Sequence, residues 1–311
     1  MHTSSLLLVA TLISSPASAH DRCDRRTPPV GPVEVVVPHR VPGDFTEGIA
    51  FSRHGDMYVG YGLNGDILRV PREGAPSLLA SLDPTDLSVT TGLAVDEDDN
   101  VYAGLWAFAD PAINGVWKIT PEGEASMFSV FPFGTLPNFI VWDKDGDLLV
   151  TDSMGAIWSV PRGGGDAELW LADELLEPAP GFFFGANGAA RDGDDLFVLN
   201  TERGAIVRIP IRHDGTAGAP SLYLEDPAFF GGDGIILDER RNIYVVNIYD
   251  STLLRINHCK EIETLVTFGA DLPFATNLEF GVGRESQTAY LTIDGAADVV
   301  KVDIGIRGLP R

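Results

Sequence analysis

Hydrophobic and polar positions along this chain recur on a long period. Six segments each open on a polar residue and continue into a mostly apolar run: Glu47-Gly-Ile-Ala-Phe, Thr91-Gly-Leu-Ala-Val, Asn138-Phe-Ile-Val-Trp, Asn187-Gly-Ala-Ala-Arg, Asp233-Gly-Ile-Ile-Leu and Asn277-Leu-Glu-Phe-Gly. Their first residues lie 44, 47, 49, 46 and 44 positions apart. A polar turn follows each, as in Asp143-Lys-Asp-Gly-Asp, and then a β-rich run such as Met57-Tyr-Val or Ile243-Tyr-Val, which predicts a hairpin. A third run ends in alternating apolar and basic residues, for example Leu68-Arg-Val and Leu254-Arg-Ile, the mark of one buried and one wet face. A fourth run, such as Glu168-Leu-Trp-Leu, follows in five units, but the chain ends after the third run of the sixth.

A period near 45 residues with four strands per unit predicts an all-β six-bladed β-propeller of four antiparallel strands per blade. A solenoid would need helices or a shorter repeat. The unpaired edge of the sixth unit wants a partner, and the spare run Val33-Glu-Val-Val-Val supplies one, so an N-terminal strand is expected to close the ring beside residues 299–302. Residues 1–19 read as a signal peptide, because Leu6-Leu-Leu-Val-Ala-Thr-Leu-Ile is too short to span a bilayer and Ala17-Ser-Ala offers small residues for cleavage. An arm over residues 20–32 and a propeller over residues 33–311 complete the expected organisation. Export makes a Cys23–Cys259 disulfide the natural reading of the two cysteines, and it places the protein outside the cell or in a periplasm.

Charge narrows the partners. With 22 Lys and Arg against 45 Asp and Glu, the net charge of −23 repels phosphate backbones and anionic lipid, so neither nucleic acid nor membrane is expected. A small molecule bound by a monomer is. The 34 Gly and 21 Pro fit short strands joined by tight turns.

In a propeller the first strand of each blade lines the central channel, and the polar residue that opens it stands at one mouth. That row reads Glu47, Thr91, Asn138, Asn187, Asp233 and Asn277. Two carboxylates and three amides around one axis make an oxygen-only set, which suits one divalent cation: Ca²⁺ first, with Mg²⁺, Mn²⁺ or Zn²⁺ as the other candidates. Like charges on a narrow axis also want a cation between them. The competing reading is that these side chains cap strand ends and bind channel water.

The set Thr46-Glu47-Gly48, Pro137-Asn138, Ala186-Asn187-Gly188 and Gly232-Asp233-Gly234 resembles the gluconolactonase and senescence-marker-protein family of six-bladed propellers, over all six repeats. The resemblance implies that Glu47, Asn187 and Asp233 hold the cation, that Asn138 touches both cation and substrate, and that Asp233 is the general base. Phe139 departs from the family pattern, which usually has Asp or Gly there. The implied chemistry is hydrolysis of a cyclic ester with the cation polarising the carbonyl. No histidine dyad is expected, because the repeat places His54, His213 and His258 on the opposite face and His39 in the closing arm.

Loops on the mouth face are rich in aromatics. Trp106, Phe108, Phe133, Phe182, Phe184, Phe230, Tyr249 and Phe274 fall there, and Trp106, Phe133 and Phe184, with Asn138 and Asn277, are the expected substrate contacts. Reading no Arg or Lys in these loops to grip a sugar-acid carboxylate favours an apolar or aromatic lactone or ester. Asp110, Asp152, Asn200 and Asn247 read as further polar groups available near the ends of second strands. Two other functions stay open. The fourth unit looks like fungal propellers that guide cycloadditions, which need a shaped pocket more than a metal, and the fold also hosts non-catalytic binding proteins. A propeller synthase joining amine and aldehyde would need a catalytic Glu in the sixth repeat, where Glu279 is the candidate.

Overall fold

A computed structural model describes residues 28–41, 43–82 and 88–309. The expected signal peptide and Cys23 lie outside the described residues. Among those described, helix is limited to two single 3-10 turns, Pro227–Phe229 and Gly283–Glu285.

The strands form six separate four-stranded antiparallel sheets. Strand β1 (Glu34–Pro38) comes first. Blade 1 is β2 (Thr46–Phe51), β3 (Met57–Tyr61), β4 (Asp66–Val70) and β5 (Ser77–Ser81), and blade 2 is β6 (Ser88–Val95), β7 (Val101–Ala107), β8 (Gly115–Ile119) and β9 (Ala125–Val130). Blade 3 holds β10 (Pro137–Trp142), β11 (Leu148–Asp152), β12 (Ala156–Val160) and β13 (Glu168–Ala172). Blade 4 holds β14 (Ala186–Asp192), β15 (Asp195–Asn200), β16 (Ala205–Pro210) and β17 (Ser221–Glu225). Blade 5 is β18 (Gly232–Leu237), β19 (Ile243–Asn247), β20 (Thr252–Ile256) and β21 (Ile262–Thr267), and blade 6 is β22 (Ala275–Phe280), β23 (Thr288–Ile293), β24 (Ala297–Asp303) and β1.

The ring therefore closes as the sequence predicts. Strand β1 runs antiparallel to β24, with Glu34 opposite Lys301 and Val35 opposite Val300. Val37 is buried in the apolar wedge between blades 6 and 1 with Ile49, Phe51 and Val299. Buried Asp298 locks the segment that follows: it receives the His39 ring at 2.9 Å, the Arg40 N–H at 3.1 Å and the Tyr61 hydroxyl.

Six such wedges, one per blade boundary, make up the core. Tyr58 and Ile67 of blade 1 meet Leu93, Val101 and Ile119 of blade 2, and Leu199 of blade 4 meets Ile235, Val245 and Leu254 of blade 5. Each fully buried large side chain contributes about 1.5–3 kcal/mol. The inner strands touch in sequence around the axis, and β22 returns to β2. Glycine permits this approach. A Cβ at Gly92 would stand 2.6 Å from the Asn138 carbonyl oxygen, and one at Gly188 would stand 2.3 Å from that of Asp233. In the third repeat Phe139 replaces the glycine and packs half-buried against the blade 3–4 wedge.

Candidate metal centre and mouth

In blades 1 to 5 the inner strand breaks its ladder at the polar residue. Thr46 pairs with Tyr61 and Ile49 with Val59, leaving Glu47 and Gly48 in a bulge; Asn138 and Phe139, Asn187 and Gly188, and Asp233 and Gly234 sit in equivalent bulges. A bulge bends its strand and re-aims the extra side chain. It is what turns a row of strand residues toward the axis.

Blade 6 departs from this scheme. Its irregularity falls between Ala275 and Asn277, so Asn277 rejoins the ladder opposite Thr292 and Thr276 takes the bulged place. The Asn277 side-chain oxygen accepts the Leu278 N–H at 2.8 Å. The side-chain oxygen of Asn277, expected as a substrate contact, is thus engaged by its own strand. Thr91 sits in the blade 2 bulge, but its hydroxyl donates to the Pro137 carbonyl at 2.9 Å and ties blade 2 to blade 3.

Asn138, Asn187 and Asp233 are buried, and Glu47 is half-buried. Burial drives the Glu47 carboxyl well above its ordinary value, and the charge of Asp233 pushes it further. Burial likewise pushes Asp233 up to about 7, with the Asn187 amide pulling partly the other way. The two carboxylates are therefore close neighbours without a compensating cation from the protein. Asn187 Nδ2 donates to Thr201 Oγ1 at 3.0 Å, while its Oδ1 is buried with no hydrogen-bond partner. Asn138 is held in the same way, Nδ2 on Ser153 Oγ at 3.1 Å, and the Ser153 hydroxyl donates onward to the Ala186 carbonyl at 2.9 Å.

An orphaned buried amide oxygen beside two carboxylates of raised pKa fits a hard divalent cation, because only an ion or donor there would satisfy that oxygen. Glu47, Asn187 and Asp233 would hold it. Among the described residues no group of three or more His, Cys, Asp or Glu is placed to hold a metal ion.

Other expected site residues fare differently. Asp152 accepts from Leu136 N, Met154 N and Trp158 Nε1. Asn200 Nδ2 donates to the Leu175 and Glu177 carbonyls, and Asn247 Nδ2 to those of Ala228 and Phe230. These groups pin the loops between blades and are not free for a ligand. Trp106 lies within β7, which with β6 extends past the level where the other blades end, and its ring stacks on Phe108 with centroids 3.6 Å apart. Among the described residues Phe133 is the most exposed large apolar residue at 76%, and Phe184 is half-buried with its N–H on Glu202 Oε2 at 2.7 Å. Two cations do stand on this face, against expectation: Arg40 before β2, and Arg203 in the β15–β16 turn, whose Nε donates to the Glu177 carbonyl. His54, His213 and His258 occupy turns on the opposite face, as expected.

Three groups escaped the sequence reading. Ser153 and Thr201 orient the two amides, and each follows an Asp or Asn that ends a second strand, a pairing visible in Asp152-Ser153 and Asn200-Thr201. Buried Glu202 is a further carboxylate on this face, where it accepts the Phe184 N–H. A groove of about 740 Å³ lined by Asp195, Arg208, Tyr223, Arg241 and Lys260 lies on the opposite face. Its charges are matched internally, Arg208 to Asp195 and Arg241 to Asp192, and it plays no part in the carboxylate site.

The chain matches no protein-family model and no curated protein sequence. Solved structures do resemble it. A gluconolactonase from Xanthomonas campestris aligns with a TM-score of 0.64 at 15% identity, covering 90% of this chain and 99% of that one. A virginiamycin B lyase from Staphylococcus aureus aligns at 0.59 and 15%, covering 88% and 99%. The calcium-binding regucalcin of Agrobacterium tumefaciens aligns at 0.65 and 14%, covering 89% and 96%. The resemblance read in the sequence thus meets its counterpart in three dimensions: the chain has the six-bladed propeller fold of the gluconolactonase and regucalcin structures.

Proposed function

We propose that this chain is an exported, cation-dependent hydrolase of a lactone or related ester with an apolar or aromatic substituent. The observation that carries the reading is the orphaned Asn187 Oδ1 beside the Glu47 and Asp233 carboxylates, both of which disfavour ionisation when no cation is near. A bound divalent cation would supply a Lewis acid and lower the pKa of water at that place. A cation beside Asp233 would offset the burial that raises its pKa in the cation-free chain, leaving a carboxylate that accepts a proton from water. Asn138, fixed through Ser153, orients the ester group beside it. With Arg40 and Arg203 on this face, the preference for apolar substrates rests on the exposed aromatic rim and not on a lack of cations. The likeness to gluconolactonase and regucalcin structures agrees with this reading.

The same rim would also suit a cyclase pocket or a binding protein, and the lyase among its structural neighbours shows that the fold hosts other chemistry. Those functions give no role to two buried, uncompensated carboxylates. A screen of lactones and aryl esters with and without chelator tests the proposal. Turnover abolished by chelator and by Asp233→Asn is expected; a fully active Asp233→Asn protein would sink the mechanism.

A further inference from the structure

Three aromatic side chains from three different loops meet in sequence on the mouth face of blades 4 and 5. Phe182, between β13 and β14, meets Phe230 edge-on at 5.8 Å, and Phe230, between β17 and β18, meets Tyr249 of the β19–β20 turn at 5.6 Å. They are 49%, 39% and 52% exposed, more than stacked rings that serve only as core would be.

This strip is also held rigidly. Buried Asn247 donates to the Phe230 carbonyl at 2.8 Å and accepts the Tyr249 N–H at 2.9 Å, so one amide fixes the backbone that carries two of the three rings. Phe229 is fully buried beneath. Gly231, at φ +86°, has no Cβ; one placed there would stand 2.3 Å from Tyr249 Cδ2, so the ring lies directly on its backbone. The inner end of the strip is tied to the site, because the Gly231 N–H donates at 2.9 Å to the carbonyl of Thr201, the residue whose hydroxyl holds Asn187.

We propose that Phe182, Phe230 and Tyr249 form the subsite for the apolar arm of the substrate. The preferred substrate is then a lactone or ester whose arm is flat and aromatic, or linear and longer than one ring. Only the ester half rests on the hydrolase reading; the shelf itself does not.

Two measurements on the full-length, cation-supplemented protein separate these. Across γ-lactones with lengthening alkyl arms, kcat/KM climbs about threefold per added methylene. Phe182→Ala and Phe230→Ala flatten that gradient mainly through KM, whereas Tyr249→Phe, which keeps the ring, keeps the gradient. An unchanged gradient in both alanine variants overturns the proposal. Binding of the neutral fluorophore N-phenyl-1-naphthylamine weakens at least tenfold in the Phe182→Ala/Phe230→Ala variant, with an unchanged unfolding midpoint as the check on folding. Equal probe binding overturns the shelf. Loss of probe binding with no lactone turned over supports the shelf and overturns the hydrolase reading alone.

Discussion

At the residue scale, the amides matter as much as the carboxylates. Asn187 presents Oδ1 only because Thr201 holds Nδ2, so Thr201→Val should release the amide and weaken cation binding about 10–100-fold by calorimetry, with Glu47 and Asp233 untouched. The carboxylates themselves leave a pH signature. Asp233 titrates near 7 in the folded, cation-free chain against an ordinary 3.8, so between about pH 4 and 7 the folded state keeps a proton that the unfolded chain has released. Stability therefore falls as pH rises through that window. Wild-type protein in chelator should lose on the order of 2–4 kcal/mol relative to Glu47→Gln/Asp233→Asn between those limits, read by urea unfolding. A constant difference across the window contradicts the buried pair.

At the scale of the strand, the bulge is the device that makes the site. Gly188→Ala forces a Cβ to within 2.3 Å of the Asp233 carbonyl, pushing blades 4 and 5 apart at the metal level. It should cost about 1–3 kcal/mol and weaken cation affinity together, an outcome for which surface alanines give no precedent. Ring closure makes a second test. Asp298→Ala leaves His39, Arg40 N–H and Tyr61 without their shared acceptor and should destabilise by about 2–4 kcal/mol in chemical denaturation. Strands and closure were readable because period-2 alternation and a spare apolar run are local facts of the sequence. Bulges were less so: the Gly after Glu47, Asn187 and Asp233 marks them, but ladder register depends on the partner strand. That is why the return of Asn277 to the ladder opposite Thr292 could not be read ahead. Asn200 and Asn247 misled for a related reason, since the loop carbonyls that claim them, those of Glu177 and Ala228, lie 23 and 19 positions away, whereas Asp152 is claimed largely by its own turn.

For the whole molecule, six blades converge polar groups of different chain regions on one axis, and a single ion there would touch blades 1, 4 and 5 at once. Binding should stabilise the ring as a unit: at a hundredfold excess over Kd the gain is about 2.7 kcal/mol, a rise of roughly 5–10 °C in Tm, lost on chelation. The −23 charge adds a long-range attraction for cations. The measurement that tests the account most directly is elemental analysis of the purified protein after dialysis against trace divalent cations, beside Glu47→Gln/Asp233→Asn. One equivalent of a single divalent metal in the wild type and none in the variant is the predicted result. No metal in the wild type, or an equal amount in both proteins, would contradict the cation site on which the proposed chemistry stands.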